Sequence, residues 1–279
     1  MVDISKLTTG VNLPAASAGK FFARAVETSA FLRATGVSPL LGIGEIVHNF
    51  GNAKAYLVEE GGIKTVSNPQ INNVTILPKK FVVASTYSDE IAVDAPFIVA
   101  QIKNAAAPAI GREVDATIVS SAVINGFSTL GSLVGTEIDS DADMELVLAS
   151  LDGTAFGIVL SSAMLGYIRS LRNSTNTSVK YFDVIATSPV DGTINGFPYY
   201  VYNSAVAQGF IADWSANAVA GRVGDVRIKT ANTGEIGGVN LLAQNFNAVI
   251  TEARVGFGVK TGFDATRPVV AKIVKPVVV

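Results

Sequence analysis

The stretch Ala55–Val83, AYLVEEGGIKTVSNPQINNVTILPKKFVV, poses the question on which the fold turns. Two apolar runs, Ala55–Val58 and Val74–Leu77, flank a polar middle, and Phe81-Val82-Val83 follows after Pro78-Lys79-Lys80. Glu59-Glu60-Gly61-Gly62 and Ser67-Asn68-Pro69 are turn and loop chemistry. The spacing predicts a long β-ribbon over residues 47–86. An isolated two-stranded ribbon buries too little apolar surface to stand alone in water. It therefore needs a support that lies outside itself.

Composition narrows what that support is. Of 279 residues, 49% are hydrophobic and 16% charged, whereas soluble domains carry about 25% charged residues. Mean hydropathy is +0.40. The chain is poor in the groups that normally cover a solvated surface, so either a membrane or other protein chains must cover part of it. A spanning helix needs about 20 mostly apolar residues. The longest candidate, Phe156–Ile168, is shorter and carries two serines. No basic segment followed by an apolar run opens the chain, so no membrane partner or secretory signal is expected. Contact with other protein chains is the expected cover. Cysteine is absent and net charge is −2, which excludes disulfides, thiolate metal sites and a strongly basic nucleic-acid binder.

Outward from the ribbon, residues 1–46 read as an N-terminal arm with a helix from Lys20 to Arg33. Its apolar face is Phe21, Ala25, Thr28 and Leu32, and Gly36 and Pro39 end it. Downstream, Asp94 to Asn125 carries the strongest helical signal. Ile98, Ile102, Ala106, Ile110, Val114, Ile118 and Ala122 recur every fourth residue. Asp94 is the expected N-cap, Pro108 an internal kink, and Asn125-Gly126 the stop. Short strands are expected at Gly157–Ser161, Phe197–Tyr202, Gln208–Ala212, Asn217–Ala220, Val226–Lys229 and Val269–Val278, with helices near 143–151 and 163–172. Along Ala248–Gly262, Val249, Thr251, Ala253, Val255, Phe257 and Val259 share one face. Helices and strands segregate, so the fold class is α+β.

Candidate chemistry is sparse. The one histidine, His48, has no nucleophile motif beside it. Asp139, Asp141, Asp143 and Glu145 begin like a calcium loop, but Met144 stands where glycine is required and Ser150 where glutamate is. They read as acidic residues at a helix N-terminus. Gly256–Gly262 lacks the residue order of a phosphate loop and reads as a strand whose glycines allow close backbone approach. No catalytic residue, metal site or cofactor is expected, and the chain is not read as an enzyme.

The order of parts from Ala55 to Gly126 resembles the major capsid proteins of tailed bacteriophages with the Hong Kong 97-type fold. The residues that carry it are Glu60-Gly61, Ser67, Val74–Val83, Ser88-Asp89-Glu90, Asp94 and Asp115, then Asn195-Gly196-Phe197-Pro198, Asp213-Trp214, and Glu252–Phe257 with Phe263 after it. The resemblance implies an extended β-hairpin loop at 47–86 and a peripheral domain with its spine helix at 87–142. It further implies an axial domain at 143–244 and a C-terminal return to the peripheral domain at 245–279. Glu59, Glu60, Gly61, Gly62, Ile63 and Lys64 are then the expected intersubunit loop contacts, with Gly61-Gly62 a point of bending. Ile98, Ile102, Ile110, Val114 and Ile118 are the apolar face of the spine.

The implied function is a virion shell made in the bacterial host cytoplasm. Hexamers and pentamers of this chain would close into an icosahedron around double-stranded DNA, held by enclosure rather than by sequence. Some members carry an N-terminal scaffolding region for which this chain has no room, so a separate scaffolding protein is expected, with a portal. Lys54 and Lys64 lie in the segment that some members crosslink, but no matching asparagine is found and no crosslink is expected. An encapsulin-type shell enclosing enzyme cargo is the alternative. The poor helix propensity of residues 1–15 speaks against it.

Overall fold

The computed structural model describes residues 10–12, 15–40, 44–51, 55–94, 96–171, 182–188, 190–224, 226–262 and 266–276. Two large sheets, two two-stranded ribbons and seven helices make up this part of the chain: α1 Ala15–Thr28, α2 Ala30–Thr35, α3 Asp89–Asp94, α4 Pro96–Ile118, α5 Asp141–Ser150, α6 Ser162–Ser170 and α7 Trp214–Asn217. The chain is α+β, as its segregated periodicities predict.

The first sheet is organised by one long strand, Phe246–Val259. Lys79–Ser88 runs antiparallel along one edge, from Phe246 opposite Ser88 to Val255 opposite Lys79. The other edge takes two shorter strands end to end. Arg227–Ala231 pairs near the start of the long strand and Ala218–Arg222 near its end. Gly10–Asn12 and Ser38–Pro39 extend the sheet outward. Val249, Thr251, Ala253, Val255 and Phe257 are buried as the alternation predicts, with Val259 half-buried.

The second sheet has the order 135–137, 270–274, 208–212, 157–161, 197–202, 191–194, 184–186. Gly157–Ser161 is buried along its whole length. Helices α5 and α6 cover it through Met144, Val147, Leu148, Met164, Leu165 and Ile168.

Several expectations are corrected by this topology. Phe81-Val82-Val83 is not part of the ribbon; it belongs to the first sheet, because Lys79–Ser88 finds ten partners on the long strand. Ala55–Val58 is exposed coil, and the strand that pairs with Gln70–Ile76 is Glu45–Gly51, with Val47 opposite Val74. Residues 218–222 and 227–231 pair in the first sheet, whereas Val270–Val274 and Gly135–Glu137 join the second. The expected Asp94–Asn125 helix is two: Asp94 ends α3, and Pro96 opens α4, where its missing N–H costs nothing. Pro108 does lie inside α4. The helix stops at Ile118, because Ser120-Ser121 follows and the chain folds back. The Ser120 amide bonds the Thr117 carbonyl in a tightened last turn, and the Leu130 amide bonds the Ile118 carbonyl. The expected Lys20–Arg33 helix likewise breaks at Ser29, whose hydroxyl accepts from the Leu32 amide and caps α2.

Helix α2 joins the two sheets. Phe31 is wholly buried, with its ring centroid 6.0 Å from Phe257 of the first sheet, 5.9 and 5.7 Å from Tyr202 and Phe210 of the second, and 5.5 Å from Trp214. Such aromatic clustering adds about 0.5–1.5 kcal/mol per pair beyond area burial. Arg33 reaches the second sheet as well, pairing with Asp191 and donating to the Val201 carbonyl at 3.2 Å.

Candidate intersubunit surfaces

The ribbon of Glu45–Gly51 and Gln70–Ile76 is seven paired residues long, about 23 Å at 3.3 Å per residue. One face of its second strand has a support within the subunit. Asn72 Nδ2 donates to the Gly262 carbonyl at 3.2 Å. Val74 and Ile76 lie over glycines of the long strand. A Cβ on Gly256 would stand 2.6 Å from Ile76 Cγ2, and one on Gly258 would stand 2.8 Å from Ile76 Cγ1. The glycines of 256–262 are thus places of close approach, as read from the sequence. They let the ribbon lie flat on the strand beneath it.

The other ribbon face and the connecting loop have no such cover. Ile46 and Ile71 are exposed, and residues 55–69 are exposed throughout apart from half-buried Ser67. Within that loop Leu57 is 102% exposed, Ile63 93% and Val66 79%, with Tyr56 about half exposed. Four large apolar side chains on one loop form the kind of patch that marks an interaction site. Of the expected contact residues, Glu59, Glu60, Gly61 and Gly62 form a tight turn at its tip. The Gly62 amide donates to the Glu59 carbonyl at 2.9 Å, and Gly61 has φ +81°, the left-handed value that favours glycine at a turn's third position. Ile63 and Lys64 follow, both exposed. Leu57, Val66 and Tyr56 escaped the sequence reading because Ala55–Val58 looked like a strand; their placement between turn signals was the clue available.

The spine face divides along its length. Ile110, Val114 and Ile118 are buried in the main core and Ile102 is half-buried. The side chain of Ile98 lies outside the described residues. Phe97, one residue earlier, is 63% exposed. The C-terminal half of α4 therefore holds the subunit together, and its N-terminal end carries bare apolar surface.

Asp115 ties this helix to the rest. It is 3% exposed, and its carboxylate accepts from Ser29 Oγ at 2.5 Å, the Ala30 amide at 2.9 Å and the Phe31 amide at 3.3 Å. It caps α2 from another helix, satisfying amides that have no intrahelical partner. Burial raises its pKa to about 6, outweighing the three hydrogen bonds and the nearby Arg33 charge that pull it down. Gly111, one turn earlier, is where α1 crosses: a Cβ there would stand 2.4 Å from the Ala25 carbonyl oxygen.

The remaining candidates have structural settings. His48 sits opposite Asn73 in the ribbon, with Nδ1 2.7 Å from its Oδ1. Asp143 completes a capping box with Ser140 at the start of α5, and Asp139 accepts from the Tyr167 hydroxyl at 3.1 Å. The backbone amide of Asp139 and the Ser140 hydroxyl hold the Asp143 carboxyl below its usual range. Among the described residues no cluster of metal-ligating side chains occurs, and no helix is long and apolar enough to cross a membrane.

Comparison with known proteins places this architecture. The model of the phage capsid family matches residues 9–263. No curated protein matches the sequence. Among solved structures, one from Mycobacterium phage Bobi superposes with a TM-score of 0.66 at 17% identity, covering 90% of this chain and 91% of that one. A structure from Microbacterium phage Oxtober96 gives 0.66 at 18% identity, with 89% and 91% covered. A third, described as the capsid of a native GTA particle computed with C5 symmetry, gives 0.60 at 17% identity with the same coverage. At such low identity the structural likeness shows a shared fold. With the family match over nearly the whole chain, it shows that this protein belongs to the phage capsid family.

Proposed function

We propose that this chain is the major capsid subunit of a tailed phage, building an icosahedral shell from hexamers and pentamers around packaged double-stranded DNA. The observation that carries the reading is the bare apolar loop 55–69, held clear of the subunit on a seated ribbon. In a capsid-family chain, such a loop has a natural partner in the next subunit. In Hong Kong 97 terms the ribbon and its loop are the extended loop and α4 is the spine. The first sheet is the peripheral domain, and the second, with α5 and α6, the axial domain. The relative described with C5 symmetry supports five-fold rings. The role is structural rather than enzymatic, with DNA retained by wall continuity. A separate scaffolding protein and a portal complete the set of partners, and synthesis takes place in the host cytoplasm. A cargo-enclosing nanocompartment would use a related fold, but the family match does not favour it.

Shell assembly suits many individually weak contacts, since misplaced subunits must leave before closure. Electron microscopy and sedimentation of the purified protein test the reading. Capsomers or closed shells are expected. A monomer at all pH and salt conditions, with the ribbon ordered, would overturn it.

A further inference from the structure

A crevice of about 340 Å³ separates α4 from the second sheet. Asp115, Ala116 and Val119 line it from the helix, and Val190, Val201 and Tyr202 from the sheet. Asp115 and Tyr202 are each 3% exposed and form its floor. Ala116 and Val190 are exposed at its rim, with Arg112 beside them. Small-molecule sites have volumes of about 300–1,000 Å³, with apolar walls around a few convergent polar groups. This crevice has both the size and the make-up.

Both floor residues have hydrogen-bonding capacity that the fold leaves unused. The Tyr202 hydroxyl is buried with no partner in bonding geometry, although the Gln208 side chain lies near it. Phenylalanine would fill the same space without a hydroxyl, and an unpaired buried hydroxyl costs free energy that an entering partner would recover. A carboxylate offers about four acceptor positions, and Ser29, Ala30 and Phe31 take up three on Asp115. Water alone would meet both polar groups but gain nothing from Ala116, Val119, Val190 and Val201. Charge narrows the choice further. An entering cation would meet Arg112 at the rim and Arg33, whose charge already acts on Asp115. An entering anion would meet the Asp115 carboxylate. A neutral ligand avoids both penalties.

We propose that the crevice binds a small neutral polyol on an aliphatic frame. One hydroxyl donates to the open position on Asp115, a second pairs with the Tyr202 hydroxyl, and the frame lies on Val119, Val190 and Val201. The site spans two separately packed parts of the subunit, because Asp115 belongs to α4 and Tyr202 to the second sheet. A bound polyol therefore ties helix to sheet and opposes their movement apart. None of this depends on the chain building a shell, and the unassembled subunit suffices to show it.

Titration of the unassembled subunit with cyclohexane-1,4-diol, followed by calorimetry and by hydrogen exchange, tests the site. Saturable binding at one site is expected, with slower exchange of the amides at 112–119 and 199–204. The dimethyl ether of the diol keeps the frame but cannot donate, and should bind roughly tenfold more weakly or worse. Tyr202→Phe loses no hydrogen bond of the free protein, so its Tm should not fall, while its affinity for the diol drops by roughly tenfold. Ala116→Phe fills the crevice from an exposed helix position and should abolish binding whether or not Tyr202→Phe folds. The absence of saturable binding to the wild type would overturn the proposal. So would equal affinity for diol and diether, or undiminished binding by either variant. A Tm that rises with diol without saturating, equally in wild type and Ala116→Phe, would overturn it as a general solvent effect.

Discussion

Replacing Asp115 with Asn should change how stability depends on pH, and the structure sets both sign and size. The carboxyl is buried at the start of α2 and has its pKa raised from 3.8 to about 6. Because the folded state holds the proton more tightly than the unfolded chain, the group's contribution is fully present below about pH 3.8. It is lost as pH rises through about 6. A displacement of about two pH units corresponds to about 3 kcal/mol. At the entropy of unfolding typical per residue, that is a shift of about 5 °C in Tm for a chain of this size. The stability of the wild-type subunit relative to Asp115→Asn should therefore fall by about 3 kcal/mol between pH 3.8 and 7. Thermal melts of both proteins at low concentration, where neither assembles, measure the difference. The Asp115 carboxyl carbon resonance, assigned by its absence in the variant, should titrate near pH 6. Parallel melting profiles across this window, or a carboxyl that titrates near pH 4, would refute the reasoning. The three hydrogen bonds to α2 would then offset burial in full.

Other substitutions probe the remaining parts. Leu57→Asp or Ile63→Asp should leave the subunit's Tm unchanged within about 0.5 kcal/mol, since both positions are exposed. Sedimentation should nevertheless show no shells. Gly256→Val should lift the ribbon, because a Cβ there meets Ile76 at 2.6 Å. About 1–3 kcal/mol of destabilisation is expected, along with faster hydrogen exchange of the 70–76 amides and little change across the second sheet. Phe31→Ala removes the ring shared by both sheets and should cost about 3–5 kcal/mol, measured by urea denaturation. Asp213→Ala should cost about 2 kcal/mol or more, because the amides of Thr154, Ala155 and Ala216 lose their acceptor.

Legibility in the sequence followed the range of the interaction involved. Gly157–Ser161, Phe197–Tyr202 and Gln208–Ala212 were readable to the residue, because short apolar runs between turn signals need no knowledge of their neighbours. The buried alternation of the long strand was equally plain. Sheet membership was not. Nothing local to Val270–Val274 distinguishes pairing with Gln208–Ala212 from pairing with the long strand. The ribbon misled because Phe81–Val83 and Ala55–Val58 have equal strand propensity, while only the former has a partner strand to lie against. Gly61 and the acidic turn were identifiable from composition alone. The Lys80–Glu252 pair was not, since its members are 172 residues apart in sequence and meet only through the sheet register. Asp115 stood out only through the family resemblance, and its partners at Ser29–Phe31 lie 84 to 86 residues away.

The glycine seat under the ribbon turns the subunit into a cantilever. With Ile76, Val74 and Asn72 bedded on residues 256–262, the paired strands swing with the first sheet as one beam. A tilt of roughly 10° between neighbouring subunits would then carry the end of a 23 Å beam sideways by about 4 Å. That is nearly the spacing of adjacent strands. In the proposed shell, five-fold and six-fold rings would differ by tilts of this kind, and the mismatch would fall on the free end, where the Glu59–Gly62 turn and its glycines would take up the slack. A stiff arm with a compliant fingertip would let one sequence grip its neighbour across curvatures that a uniformly rigid arm would miss.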